Sequence, residues 1–331
     1  MTQEPTMRAA LLETRGAPFR IATLARPAPG PGEALVRVVA SGVNPLDLKI
    51  HAGEAEHARV RLPAVLGMDL AGVVTATGSR VTRLRPGDKV YGMAGGVGGH
   101  QGTLAEYVAV DADLLAVKPA HFSMREAAAV PLVFITAWEG LVDRARVQAG
   151  QTVLVIGGAG GVGQMAIQIA VAFGAQVSAS GSATSRQAIE RLGARFVDRA
   201  TPIDEIVKEA GDGRGFDVVY DTAGALDDAF AAVRRFGHVV SSLGWGTHAL
   251  APLSFRAATY SGVFTLLPLL TGEGRPHHGE ILAEATKLAE AGKLSARPDP
   301  RRFTLETACD AYRAVKSGGG KFVVDIASDL N

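Results

Sequence analysis

The feature that most restricts how this chain can fold is a glycine-rich turn set between two segments of opposite periodicity. Thr152-Val-Leu-Val-Ile156 is an apolar, β-branched run that reads as a buried strand. It runs directly into Gly157-Gly-Ala-Gly-Gly-Val-Gly163 and then into a helix-type stretch from Gln164 to Phe173. Gly158, Gly160 and Gly163 fit G-x-G-x-x-G, and each place asks for glycine for its own reason. Gly158 serves the tight turn, Gly160 lets backbone approach a pyrophosphate, and Gly163 lets the helix pack closely on the strand. A diphosphate would then rest on the helix N-terminus along Ala159, Gly160, Gly161 and Val162, where free N–H groups and the helix dipole favour an anion.

The motif alone is weak in a chain with 40 glycines, where a flexible loop is the competing reading. Its context weighs against that reading, because strand, turn, helix and second strand follow in the required order. Gly96-Val-Gly98-Gly-His-Gln101 begins in the same way but lacks the third glycine and leads into the strand-like Thr103 to Val110. That segment is expected to be a surface or active-site loop.

Strands are expected at Thr152 to Ile156, Gln176 to Ser180, Phe216 to Tyr220, His238 to Leu243 and around Gly262 to Leu266, with a third strand finishing near Arg199. Helices are expected at Val162 to Phe173, Ser185 to Leu192, Ile203 to Ala210 and Ala225 to Val233. Such alternation predicts a doubly wound parallel sheet with helices on both faces. Upstream, Ala9 to Val117 carries short β-type runs punctuated by Gly, Pro and Asp, and Met124 to Val147 shows helical spacing. Downstream, helices at Glu280 to Gly292 and Leu305 to Lys316 precede a strand at Lys321 to Ile326 that is expected to return to the first domain.

Where the second strand ends, an NAD site usually places an acid to hold the adenosine ribose. Here Ser178-Ala-Ser-Gly-Ser-Ala-Thr-Ser-Arg186 has none. Ser180, Ser182 and Arg186 leave room for a 2′-phosphate and offer it donors, which favours NADPH over NADH. Arg186 as a solvated helix residue stays open, and Arg199 is a second phosphate candidate. Strand ends point at the ligand crevice in such sheets, which places Thr222, Ala223, Gly224, Leu243, Gly244 and Phe264 near the dinucleotide.

Composition narrows the partners. Two domains suit 331 residues, and 47% hydrophobic against 20% charged residues is ordinary globular content. With 34 basic and 33 acidic residues there is no net field for a nucleic acid or an acidic membrane. One cysteine, Cys309, forms neither an internal disulfide nor a thiolate zinc cluster. No apolar run is long enough to span a bilayer, and Met1 to Ala10 lacks a signal-peptide pattern, so a cytoplasmic location is expected.

The chain resembles the medium-chain dehydrogenase/reductase superfamily, in its zinc-free quinone oxidoreductase-like branch. The resemblance is carried by Ser41-Gly-Val-Asn-Pro-Leu-Asp-Leu-Lys49 with Gly53, Leu66-Gly-Met-Asp69 with Ala71-Gly-Val-Val74, and Arg85-Pro-Gly-Asp-Lys-Val-Tyr91. Gly102-Thr-Leu-Ala-Glu-Tyr-Val108, Ala127 to Ala137, the glycine turn and Asp217-Val-Val-Tyr-Asp-Thr-Ala-Gly224 continue it in the family's order. It implies an α/β chain with a discontinuous, mostly β GroES-like catalytic domain over residues 1–126 and 268–331, and a Rossmann domain over 127–267. Zinc-dependent relatives place a Cys ligand in the segment matching Gly42 to Asp47 and a His ligand in Gly-His-Glu. This chain has no cysteine in the first and reads Gly67-Met68-Asp69 in the second.

The implied activity is therefore NADPH-dependent hydride delivery to a quinone or to an enone, carbons that are already electrophilic. Asn44 and Lys49 match polar positions of the family's active-site cleft, where both can donate to a carbonyl oxygen that gains charge. Lysine at position 49 tilts the substrate toward enones, with a solvent-directed side chain as the alternative. Asp47 is ranked first as a local cap and second as an orienting group. Thr136 matches a threonine that faces the cofactor, and Gly319-Gly-Lys321 is similar to a segment beside it, which makes Lys321 a cofactor-binding candidate. Relatives are commonly homodimers, and an edge strand such as Ser261 to Thr265 suits pairing across a two-fold axis.

Other constellations rank lower. His277-His278 with Glu280 reads as a solvated loop, and His100 and His51 as surface residues. No G-x-S-x-G elbow and no basic aromatic stripe is present. The competing functions are an NADPH-binding sensor without turnover and a zinc-dependent alcohol dehydrogenase.

Overall fold

The computed structural model describes residues 5–316 and 320–327, so Gly319 of the closing glycine segment and residues 1–4 lie outside the described residues. The chain divides into two compact units, Met1–Leu132 with Leu266–Asn331, and Val133–Thr265.

In the first unit, β1 (Thr6–Leu12), β2 (Arg20–Ala25), β3 (Glu33–Val43), β4 (Ala64–Val65), β5 (Asp69–Thr77), β6 (Lys89–Met93), β7 (Tyr107–Asp111) and β8 (Leu115–Val117) build two antiparallel sheets. The eleven-residue β3 is rich in Val and Ala and nearly all buried, as a central strand must be. It pairs with β5 and β7, and the register sets Gly42 opposite Asp69. At its end the chain turns into α1 (Pro45–Ala52), where Pro45 fits the first helical turn and Gly53, at φ 83°, stops it.

Residues 124–147 are not one helix. They form α2 (Met124–Ala128), α3 (Pro131–Trp138) and a π-helical turn at Glu139–Arg144. Pro131 lacks the N–H that would carry α2 onward and disfavours helical backbone at Val130. A side chain at Gly42 would collide with the Ala128 carbonyl, so α2 is seated against β3 in the first unit.

The second unit alternates β9 (Thr152–Ile156), α4 (Gly161–Ala172), β10 (Gln176–Gly181), α5 (Arg186–Arg191), β11 (Arg195–Asp198), α6 (Ile203–Ala210), β12 (Phe216–Asp221), α7 (Leu226–Ala232), β13 (Val233–Ser241), α8 (Ala251–Ser254) and β14 (Thr259–Gly262). The strands form one parallel sheet in the order β11-β10-β9-β12-β13-β14, the doubly wound arrangement. Its direction of growth reverses between β9 and β12, and the carboxyl ends of the strands share one edge. Leu154, Val219, Phe216 and Phe230 lie at the core of one helical layer, all fully buried.

Two strand expectations shift. β13 begins at Val233 rather than His238, because Val233 pairs with Phe216 before a register shift, with Phe236 at φ 62°, restores the ladder at His238. The edge strand β14 ends at Gly262, its last partner in β13 being Ser241, so it precedes the expected 262–266 segment.

Beyond residue 265 lie α9 (Leu267–Thr271), α10 (Arg275–Glu290), α11 (Ala308–Lys316) and β15 (Phe322–Asp325). α10 starts five residues before the expected Glu280, with Pro276 in its first turn, so His277 and His278 are helical rather than in a loop. His278 is buried, and His277 pairs with Glu280 at 3.3 Å. β15 pairs antiparallel with β3, setting Phe322 opposite Val43, and so completes the first unit's larger sheet. Among the described residues no helix is long and apolar enough to cross a membrane.

Candidate active site

In the first unit, the register of β3 against β5 and β15 brings Asn44, Asp69 and Lys321 together, though 277 positions separate the outer two. Asn44 Nδ2 donates to Asp69 Oδ2 at 2.8 Å, and Lys321 Nζ donates to the same oxygen at 3.0 Å and to Asn44 Oδ1. The other carboxylate oxygen, Asp69 Oδ1, accepts the Leu132 N–H at 3.0 Å. Thr103 Oγ1 donates to the Asp69 carbonyl at 3.1 Å and lies 2.7 Å from Ser41 Oγ. Asn44 and Asp69 are sealed from solvent, whereas the Lys321 side chain keeps 12% of its surface.

An ammonium carries three N–H donors and an amide two. After these contacts each of Lys321 and Asn44 retains a donor, and the one that reaches the surface, on Lys321, can receive an oxygen that gains negative charge. Lys321, expected beside a cofactor, thus sits with the catalytic candidates. Asp69 carries no role in the sequence reading beyond its Gly67-Met68-Asp69 signature, and only the strand register reveals its place.

Asp47 is buried one turn into α1, where its Oδ2 accepts the Asn44 N–H at 2.8 Å, the reciprocal half of a capping box. Burial pushes its carboxyl up to about 7, and the Asp69 charge adds to this, against the Asn44 N–H and Lys321, which pull it down. Lys49 lies on the exposed side of the same helix, away from this cluster.

The first unit offers zinc a poor donor set. The segment Gly42 to Asp47, where zinc-dependent relatives carry a Cys ligand, holds no thiolate, Met68 takes the place of the His of Gly-His-Glu, and the Asp69 carboxylate already holds the Lys321 ammonium. Cys309 is on α11, where its Sγ accepts the Phe19 N–H at 3.4 Å. Among the described residues no three His, Cys, Asp or Glu side chains group as metal ligands.

In the second unit the glycine turn divides its work differently from the motif's usual assignment. Gly157, outside the three motif positions, takes the left-handed φ of 87° that tightens the turn. A β-carbon on Gly158 would strike the Ala179 β-carbon, and one on Gly163 would strike the Gly157 carbonyl, so both are close-approach positions. Gly160 meets only the Gly157 carbonyl at 3.4 Å and lies open. It begins α4 with no side-chain cap, leaving the N–H groups of Gly161, Val162 and Gly163 for an anion. Ala159, Gly160, Gly161 and Val162 are partly exposed there, which fits a diphosphate cradle.

Ser180 is turned inward: its Oγ accepts the Gly157 N–H at 3.2 Å and its carbonyl the Gly158 N–H at 2.8 Å, so it shapes the turn. Ser182 Oγ lies 2.9 Å from Thr184 Oγ1 at the open end of β10. Arg186 stacks over Phe196 at 4.2 Å and pairs with Glu190 at 3.6 Å. Arg199 is exposed, and its backbone N–H is tied to the Gly181 carbonyl at 2.9 Å, which holds it beside Ser182.

At the other strand ends, Thr222 Oγ1 donates to the Ile156 carbonyl at 2.8 Å. Asp221, fully buried, accepts the N–H groups of Ala223 and Ala225 at 3.0 Å and the Ser241 hydroxyl at 2.9 Å, and Ser241 Oγ in turn accepts the Leu243 N–H at 3.0 Å. This chain fixes the Thr222–Gly224 and Leu243–Gly244 loops, and neither Asp221 nor Ser241 was singled out from sequence. Thr136 Oγ1 lies 3.0 Å from Thr265 Oγ1, which donates to Glu139 at 2.8 Å, so Thr136 bonds outside its own helix. Phe264 meets the exposed Trp245 edge to face at 5.9 Å.

One stability prediction follows from Asp47. Its folded carboxyl is raised to about 7 and the unfolded one sits near the ordinary value, so the folded state binds the extra proton between them. Stability from this group is therefore complete below about pH 4, falls as pH rises to about 7, and is level above it. Asp47→Asn keeps an acceptor for the Asn44 N–H and removes the charge. Denaturant midpoints at pH 8 should show the variant on the order of 2–4 kcal/mol more stable than the parent, with the gain vanishing near pH 4; equal gains at both pH values would contradict it.

Known proteins place the chain. Residues 30–120 match the alcohol dehydrogenase GroES-like domain model, and residues 161–268 match the zinc-binding dehydrogenase model. A 2-methylene-furan-3-one reductase of Solanum lycopersicum is 36% identical over 88% of this chain and 71% of its own length. A chloroplastic NADPH-dependent alkenal/one oxidoreductase of Arabidopsis thaliana is 35% identical over 88% of this chain and 72% of its own. The crystal structure of an alcohol dehydrogenase superfamily protein from Novosphingobium aromaticivorans superposes with a TM-score of 0.95 at 55% identity, covering 97% of this chain and 100% of that one. With its GroES-like first unit and Rossmann second unit, the chain belongs to the medium-chain dehydrogenase/reductase superfamily, in the quinone oxidoreductase-like branch, and is an oxidoreductase.

Proposed function

We propose that the chain is an NADPH-dependent reductase that delivers hydride to the β-carbon of an α,β-unsaturated carbonyl, or to a quinone ring, without zinc. The observation that carries this reading is the Asn44–Asp69–Lys321 cluster, in which an ammonium, not a metal-ligand set, occupies the buried carboxylate. The relatives named for alkenal/one and furanone reduction support the enone over the quinone.

The second unit's residues fit NADPH. Gly157 to Gly163 and the start of α4 would hold the diphosphate, and Thr222 to Gly224 with Leu243 and Gly244 would line the dinucleotide. Ser182 and the uncommitted guanidinium of Arg199 would take the 2′-phosphate, since Arg186 is engaged by Phe196 and Glu190. When bound, the cofactor supplies a hydride from its nicotinamide C4.

As hydride adds to the β-carbon, the alkene electron pair moves toward the carbonyl and its oxygen becomes an enolate. The remaining N–H donor of Lys321 would stabilise that charge, and Asn44 with Asp69 keeps the ammonium in place beforehand, which lowers reorganisation. The α-carbon then takes a proton from solvent or a nearby donor. A cytoplasmic homodimer paired along the β14 edge completes the proposal, and sedimentation velocity reads its oligomeric state.

With NADPH and a panel of enones and quinones, nicotinamide absorbance should fall fastest with enones; no loss across the panel would sink the reading. Arg199→Ala should raise the KM for NADPH about tenfold or more and leave that for NADH nearly unchanged, whereas Arg186→Ala should do little. The reverse ranking would assign the phosphate to Arg186.

A further inference from the structure

Asp47 Oδ1 and Tyr312 OH are both sealed from solvent in the first unit, and neither has a hydrogen-bond partner among the described residues. They lie on α1 and α11, two helices packed against each other. The Tyr312 ring meets His51, one turn beyond Asp47, at 5.7 Å and Phe19 at 5.3 Å, both edge to face, so it is fixed against α1. The Asp47 charge reaches it: burial first, then Asp47, push the Tyr312 phenol well above its usual range. An unmet buried donor or acceptor is costly, so two of them on adjoining helices point to a group that serves both. One water has the donors and acceptors to do so.

We propose that Asp47 and Tyr312 are joined through one internal water molecule, and that Tyr312 is thereby a positioning residue that governs the charge beside Asn44, Asp69 and Lys321. The groups facing Asp47 are Asn44 on its own helix, Asp69 from β5 and Lys321 beside β15, with Tyr312 and Cys309 on α11 and His51 one turn along. Ionised Asp47 adds a second negative charge next to Asp69 and disfavours a developing oxyanion at Lys321. Turnover should therefore decline as Asp47 loses its proton. The phenol, acting through the water, donates to the ionised form, so its removal leaves Asp47 protonated to higher pH.

The activity readout rests on the reductase reading, but the titration does not, so two measurements keep the failures apart. In the 13C-labelled full chain, the Asp47 carboxyl, assigned by its loss in Asp47→Asn, and the Tyr312 Cζ should titrate with one shared midpoint. A Tyr312 Cζ resonance that ignores the Asp47 titration overturns the pair, even where Tyr312→Phe does not fold. In the pH–rate profile with NADPH and an enone, Tyr312→Phe should move the alkaline limb upward by about half to one pH unit, with the KM for NADPH unchanged. An unmoved limb overturns the positioning role, and a His51→Gln control separates any contribution of the imidazole. If no enone is reduced, the reductase reading fails while the shared midpoint still decides the pair.

Discussion

Much of the first unit is organised around one buried carboxylate. Charge taken out of water is expensive, and Asp69 is stable there because an ammonium, an amide and a backbone N–H converge on it. These donors come from the end of β3, the start of α3 and the residue before β15, so one residue ties together segments remote in sequence. The same donors that make the charge tolerable keep hydrogen-bonding capacity to spare. Structural and chemical roles are thus carried by the same atoms, and Lys321 cannot be altered for one without disturbing the other.

The second unit repeats the device with a different acid. Asp221 lies buried at the end of β12 with backbone and hydroxyl donors around it, and it holds two loops at the sheet's carboxyl edge. In both units a carboxylate at a strand terminus, the first residue of β5 and the last of β12, is satisfied by its neighbours, and this converts that terminus into a rigid platform.

Sequence periodicity made the parallel sheet legible, because strand and helix alternate with hydrophobic periods that differ. The glycine turn was legible as a motif, yet its left-handed residue is Gly157, since a motif records spacing and not dihedral angle. The apolar run at 124–147 looked continuous because helical spacing persists across a proline, yet Pro131 parts α2 from α3 and a π-helical turn follows at Glu139–Arg144. Lys49 and Lys321 looked alike as charged residues beside familiar motifs. One faces solvent from α1 and the other is mostly covered beside β15, a distinction that depends on contacts between distant segments. Asp69 and Tyr312 escaped for the same reason.

The pairing of β15 with β3 also bears on how the chain matures during synthesis. The strands of the second unit's sheet occupy one uninterrupted stretch ending at Gly262, so that sheet can close as soon as this stretch leaves the ribosome. The first unit is finished after the second: its largest sheet waits for Phe322–Asp325, and the Asp69 carboxylate waits for Lys321. Until then the Ala40–Val43 stretch of β3 lacks the strand that covers it, while β7 can already pair with Glu33–Arg37, and that short uncovered edge is open to wrong pairing.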